Sequence, residues 1–236
     1  AYQLACAISD ERMLAQIDIR RSVLRIESNQ PAEAKELLTQ AGRRARTLGD
    51  ALLQAACAGN LAYLYLRSAR YEEALPYLQE ALALSEKAGG ENSAVNARGN
   101  LGYLYLRLGE WEKSEESLTR AVSDCRRLGN QAMEQHWLGI LGNLYQEQAR
   151  GEEAGRAYER ALSIARKTGD RGAMGLWHNN LSLLAIERGQ WDDAERHVEE
   201  AQQLLSHTTA EDAQLFPLFN AARIALGRGQ NGAAKT

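Results

Sequence analysis

The chain is poor in cysteine. Cys6, Cys57 and Cys125 are three thiols among 236 residues, an odd number with no CxxC spacing, which argues against a disulfide framework or a zinc knuckle. What remains is free thiols packing as small hydrophobes. The sequence holds no run of 18 apolar residues, so no membrane-spanning helix is expected, and the opening Ala1 to Ile8 stretch has no basic leader. Both features point to the cytosol. Positive charge is neither abundant nor clustered: 28 Lys and Arg stand against 31 Asp and Glu, a formal charge of -3. Nucleic acid would require a basic stripe, so no nucleic-acid partner is expected. The spacings GxxxxGKS/T and GxSxG are absent, which leaves no phosphate cradle or nucleophile elbow. His136, His178, His197 and His207 stand in no HExxH or Cys-rich context, so no metal, cofactor or catalytic residue is assigned.

What is present is an ordinary globular mixture of 44% apolar and 25% charged residues, which excludes disorder. It is organised by an internal repeat. Asn60-Leu-Ala-Tyr-Leu-Tyr-Leu-Arg returns as Asn100-Leu-Gly-Tyr-Leu-Tyr-Leu-Arg, a shift of 40 residues without insertion. Ala34, Ala74, Ser114, Ala154, Ala194 and Ala234 form one small-residue column; Ala1, Ala41, Ala81, Ala121, Ala161 and Ala201 form a second. Leu24, Leu64, Leu104, Leu144, Leu184 and Ile224 form an apolar column expected in the core. Apolar residues within each unit recur at three and four, which predicts two helices per unit. Gly109 and Gly189 mark the break between them, as residues able to take the left-handed conformation. Pro31 sits just inside a second helix, where its missing N–H is harmless. Gly49-Asp50, Gly129-Asn130 and Gly169-Asp170 close units, the Gly stopping one helix and the Asp or Asn capping the next. The small columns let helices approach closely, with Tyr71, Trp111 and Trp191 filling the space beside them. Glu72-Glu73, Asp192-Asp193 and similar pairs sit where the field at a helix start favours acids. Trp137 and Trp177 share one column and read as core. His178 reads as a seam residue, and His197 lies among acids.

These residues carry a resemblance. Leu101-Gly102, Tyr105, Trp111, Ser114, Leu118 and Ala121 are similar to the signature of the tetratricopeptide repeat (TPR). The unit here is 40 residues rather than 34, and the Pro that commonly closes it is missing. In that respect the repeats resemble those of kinesin light chains, of adaptors related to partner of inscuteable, and of maltose-regulator-type transcription activators. The resemblance implies an all-α fold, a right-handed superhelical solenoid of antiparallel helix pairs. The expected division of the single array is residues 1–10 as the end of a preceding repeat, full repeats at 11–50, 51–90, 91–130, 131–170 and 171–210, and a partial sixth at 211–236. Gly229-Gln230 matches Gly189-Gln190, so a turn is expected there, and both ends read as open. Thr208 to Glu211 reads as a capping box, while Pro217 requires that the helix begin near it or kink at it.

In the resembled family the first helices of the pairs line a concave groove that takes a protein or peptide ligand. Asn60, Asn100, Asn180 and Asn220 form a polar column on those helices. One reading is amides that tie repeat to repeat; the other is a ladder that grips the main chain of an extended peptide. Tyr63 and Tyr103 lie nearly one turn beyond their Asn partners, with Asn143 in the equivalent place, and then follow Arg67, Arg107, Glu147 and Glu187. The candidate partner-binding residues are therefore Asn60, Tyr63, Arg67, Asn100, Tyr103, Arg107, Asn143 and Asn180. The arginines suit an acidic stretch on the partner. Two alternatives stand beside this reading: homodimerisation through open solenoid ends, and a sensor arm of a longer protein with a catalytic or DNA-binding domain elsewhere.

Overall fold

A computed structural model describes residues 10–206 and 211–233. These residues form eleven α-helices and no strand: α1 Glu11–Glu27, α2 Pro31–Thr47, α3 Ala51–Arg67, α4 Tyr71–Lys87, α5 Glu91–Leu108, α6 Trp111–Leu128, α7 Gln131–Glu147, α8 Gly151–Thr168, α9 Arg171–Glu187, α10 Trp191–Leu205 and α11 Glu211–Ala233. Contacts divide the chain into two compact units, Ala1–Leu128 and Gly129–Thr236. In the first unit α1–α2, α3–α4 and α5–α6 are antiparallel pairs, and α1 also touches α3, as α3 touches α5. In the second unit α7–α8 and α9–α10 pair in the same way, and α11 packs on both α9 and α10. None of the described helices is long and apolar enough to cross a membrane.

Short side chains start the first helices. Asp10, Asp50, Asn130 and Asp170 accept from the backbone N–H of Met13, Leu53, Met133 and Ala173 at 2.9, 3.1, 3.2 and 3.0 Å. Each satisfies an amide that the helix leaves without a partner. Gly90 interrupts this column and offers no side-chain cap to α5. Within each pair the turn demands a left-handed residue. Gly109 and Gly189 provide it at φ 74° and 68°, but Asn29, Ala69 and Ala149 occupy the same place at φ 56°, 53° and 57°. A Cβ in that conformation crowds the following carbonyl.

The small columns set the helix separation. Ala34, Ala74, Ser114, Ala154 and Ala194 are fully buried, and the Ser114 hydroxyl donates to the Gly102 carbonyl at 2.8 Å. Opposing residues press against glycine: a Cβ on Gly102 would lie 2.6 Å from Leu118, and one on Gly142 would lie 2.4 Å from Tyr158. Contacts this close leave no room for a larger residue. Trp137 and Trp177 are buried, as core residues.

Three expectations are corrected. Leu24 does not join the core: it is 63% exposed, whereas Leu64, Leu104, Leu144, Leu184 and Ile224 are buried. Leu64 packs against Ala34, and Leu104 against Ala74, each on the second helix of the preceding pair. Among the described residues no such helix precedes α1. Second, of the two alternatives at Pro217 the helix beginning near it is excluded: α11 starts at Glu211 and carries the buried Pro217 inside, as α4 carries Pro76. Third, the turn expected at Gly229 is absent, because α11 continues to Ala233. Elsewhere that turn is fixed by a returning second helix, and the described residues hold none after α11. Ala1, Cys6, His207, Thr208 and Ala234 lie outside the described residues.

Two substitutions probe these constraints. Ala149→Gly should raise the unfolding free energy by about 0.5–1 kcal/mol in urea titrations, because the left-handed strain exceeds the extra freedom of glycine in the unfolded chain. Ala154→Leu should lower it by about 1–3 kcal/mol through overpacking.

Candidate functional site

In the first unit, α3 and α5 lie side by side and repeat one arrangement: Asn60, Tyr63 and Arg67 on α3, and Asn100, Tyr103 and Arg107 on α5. Spacings of three and four place each trio on one helix face. The Asn and Tyr side chains are half-buried, and both arginines are exposed. Within the described residues the Asn60 amide, the Tyr63 and Tyr103 hydroxyls and the Arg67 guanidinium make no hydrogen bond, and Asn100 reaches only Asn96 of its own helix at 3.5 Å. Arg107 is held in place, donating to the Tyr71 hydroxyl at 3.2 Å and lying over that ring at 5.7 Å. Tyr63 packs on the cluster of Ile26, Ala34 and Leu64. The result is a wall of amides and phenols held from behind, with two cations at its edge.

The tyrosines of a neighbouring column are engaged differently. Arg70 lies over Tyr65 at 4.8 Å, Lys113 over Tyr105 at 5.4 Å and Arg150 over Tyr145 at 4.4 Å. Each cation also pairs with an acid on or beside the next helix, Glu73, Glu110 and Glu153 respectively. Tyr65 is further stacked on Tyr77, with ring centroids 5.5 Å apart. These groups lock the turn between two helices rather than face a guest.

The second unit treats the column otherwise. Asn143 is exposed, but its Oδ1 accepts from the Tyr158 hydroxyl at 2.7 Å; that hydroxyl also lies 3.1 Å from Gln146 Oε1, and Gln146 Nε2 donates to Glu187 at 2.8 Å. Tyr158 is fully buried, and burial pushes its phenol well above the usual range. Half of the Asn143 amide is therefore occupied inside the pair. Asn180 is half-buried and makes no side-chain hydrogen bond within the described residues. Asn220 is buried and takes the tying role: its Nδ2 donates to Asn179 Oδ1 at 3.0 Å and lies 2.9 Å from the Ser182 hydroxyl, joining α11 to α9. Asn220 is thus tied across helices, whereas Asn60, Asn100 and Asn180 of the same column are not.

Buried charge also joins helices, which the sequence reading did not treat. Arg98 donates to Glu86 on α4 at 2.5 Å and to Asp124 on α6 at 2.7 Å. Arg44 reaches the buried Asp18 at 2.5 Å. The available signal was charge in otherwise apolar 40-residue columns: Asp18 and Arg98 share one with Ala58 and Leu138, and Arg44 and Asp124 share another with Leu84 and Ile164. The second unit adds a histidine pair. His178 Nδ1 lies 2.9 Å from His197 Nδ1, and Arg166 Nη2 lies 3.4 Å from His178 Nε2. A guanidinium can only donate, so His178 Nε2 accepts, its proton sits on Nδ1, and His197 receives that hydrogen bond as a neutral ring.

No cluster of three or more metal-ligating side chains occurs among the described residues. Gly227, Gly229 and Gly232 spell the spacing GxGxxG, but they lie inside α11 and follow no strand, so they form no phosphate loop. Cys57 and Cys125 are buried and form no disulfide, and burial pushes the Cys57 thiol up to about 11, which keeps it unreactive.

Burial, with His197 and Arg166 adding to it, lowers His178 from 6.5 to about 4, and burial also lowers His197. The unfolded chain therefore takes up these protons first as pH falls. Their contribution to stability is whole above pH 6.5 and is lost as pH falls toward about 4. His178→Leu, which installs the residue found at the equivalent Leu138, should flatten the fall of the melting temperature across that window in a calorimetric pH series.

The chain matches the family described as the MalT-like TPR region over residues 62–236 and the tetratricopeptide repeat over residues 14–87. No curated protein matches it. Among solved structures it is similar to BtubC (BKLC) from P. vanneervenii, at 25% identity over 86% of this chain and 85% of that one, with a TM-score of 0.76. It is similar to a signal transduction ATPase with numerous domains from Pyrococcus horikoshii, a protein with a tetratricopeptide repeat sensor, at 18% identity and a TM-score of 0.74; the match covers 92% of this chain but only 34% of that one. A Rap protein complexed with competence and sporulation factor shares 15% identity over 81% of this chain and 54% of that one, with a TM-score of 0.72.

Proposed function

Since the chain belongs to the MalT-like group of tetratricopeptide repeat proteins, we propose that it is a non-enzymatic interaction scaffold that binds an extended segment of a partner protein along α3 and α5. The observation that carries this reading is the pair of amides, Asn60 and Asn100, left without cross-repeat hydrogen bonds while Asn220 is fully engaged in one. An amide both donates and accepts, so it can hold a main chain whatever the side chains are. The Rap structure, with its bound factor, is a related fold holding a partner. The Pyrococcus protein, of which this chain spans about a third, supports the narrower reading of a sensor arm within a longer protein. The buried Cys57 and Cys125, which form no disulfide, are consistent with residence in the cytosol.

Magnitudes show what else the site requires. Hydrogen bonds contribute about 0.5–1.5 kcal/mol each, so two or three amides fall short of the about 8 kcal/mol of micromolar binding. Tyr63 and Tyr103 supply flat, half-buried area of the kind that anchors interfaces. Arg67, together with Arg107 held by Tyr71, favours a partner with an acidic stretch. Both cations flank the amide pair in one unit, so a short segment can meet all six side chains of α3 and α5.

The test is a capture experiment quantified by mass spectrometry. Asn100→Ala combined with Tyr103→Ala should leave helicity and melting nearly unchanged and reduce capture of the partner at least tenfold, equivalent to about 1.4 kcal/mol. Equal capture by the variant and the unaltered chain would remove α5 from the binding surface.

A further inference from the structure

Where successive repeats meet within a unit, two second helices flank a first helix, and one column of that first helix sends a side chain up between them. Arg98 of α5 rises between α4 and α6, donating to Glu86 and Asp124. His178 of α9 rises between α8 and α10, meeting Arg166 and His197. The equivalent residue of α3, between α2 and α4, is Ala58, which is too short to reach either helix. Gly42 and Cys57 are small as well and face each other: a Cβ on Gly42 would lie 3.9 Å from that of Cys57. The equivalent pairs are the bulkier Leu82 with Ala97 and Leu162 with Trp177. A cleft of 220 Å³ is therefore left open among α2, α3 and α4.

The cleft has an apolar floor and a rim that carries both signs of charge. Leu38, Cys57 and Ala58 are buried in the floor, with Leu61 half-buried beside them. Burial keeps the Cys57 thiol protonated, so the floor is uncharged. Tyr77 forms a wall that is fixed by stacking on Tyr65 at 5.5 Å. Arg46 of α2 and Glu80 of α4 are exposed on the rim, and neither makes an ion pair or side-chain hydrogen bond within the described residues. The equivalent positions also carry opposite charges, Glu86 with Arg120 and Arg166 with Glu200. There the rising side chain engages one of them: Glu86 holds Arg98, and Arg166 meets His178.

We propose that this cleft binds a free amino acid with an apolar side chain, its carboxylate on Arg46, its ammonium on Glu80 and its side chain over Cys57, Ala58 and Leu61. The ligand takes the place that Arg98 and His178 fill in their own repeats. A guanidinium forks onto a carboxylate, but a simple anion would also face Glu80, and a simple cation would also face Arg46. A molecule that holds both charges on one carbon matches the two together. The volume lies below the about 300–1,000 Å³ of sites for drug-sized ligands, which limits the guest to a small molecule. The lining shares no residue with Asn60, Tyr63 and Arg67, and the proposal is independent of the partner segment assigned to α3 and α5.

The test is equilibrium dialysis of the 236-residue chain against L-leucine and L-methionine up to millimolar concentration, with helicity followed by circular dichroism. At least one of the two should saturate a single site. Gly42→Leu, which installs the residue of Leu82 and Leu162, should keep the helicity and weaken binding at least tenfold by filling the cleft. The exposed Arg46→Gln and Glu80→Gln should each weaken it at least tenfold with the fold untouched. Two analogues of leucine keep its side chain and one charge, 4-methylpentanoate without the ammonium and 3-methylbutylamine without the carboxylate, and each should bind at least tenfold more weakly. Absence of saturation by both amino acids, binding indifferent to the three substitutions, or an analogue that matches leucine would each overturn the proposal.

Discussion

Close approach of helices along columns of alanine, serine and glycine is the constraint on which the rest of the structure depends. Ala34, Ala74, Ser114, Ala154 and Ala194 have no exposed surface, and Gly102 and Gly142 lie against side chains with no space for a methyl group. Helices held this closely cannot rotate about their axes without collision. Their outward positions are therefore fixed as firmly as their inward ones. The face bearing Asn60 and Tyr63, or Asn100 and Tyr103, is held in place by the opposite faces of α3 and α5. A wall built in this way is pre-organised, so the proposed association would lose little entropy in ordering it.

Much of this was legible in the sequence because the 40-residue period turns single residues into columns. Helix starts at Asp50, Asn130 and Asp170, the left-handed Gly109 and Gly189, and the buried alanines all follow from residue type and position. What was hidden depends on neighbours that a column does not show. Leu24 has the residue type of Leu64, but among the described residues no second helix precedes α1 to cover it. Ala69 and Ala149 adopt the turn conformation that glycine prefers, because helices packed on both sides impose it. Asn60 and Asn220 are one residue type in one phase. Only the arrival of Asn179 and Ser182 beside Asn220 separates a tie from a vacant amide.

The candidate site was legible in its residue types and less so in its engagement. Arg107 leans on Tyr71, and Asn143 is occupied by Tyr158; both partners come from neighbouring second helices 36 and 15 residues away. The His178 and His197 contact likewise joins residues whose individual surroundings gave no hint of each other. In each case the side chain that determines availability lies on another helix. Periodicity identifies which face a residue occupies, whereas packing determines whether its polar atoms remain available.

The central claim, that vacant amides on α3 and α5 hold a partner while an engaged amide elsewhere does not, is tested most directly by following side-chain amide resonances in solution NMR as a captured partner segment is added. The account predicts that the Asn60 and Asn100 amide signals shift with the titration while the Asn220 signal, held by Asn179 and Ser182, stays in place. Binding that moves Asn220 and leaves Asn60 and Asn100 unperturbed would contradict it.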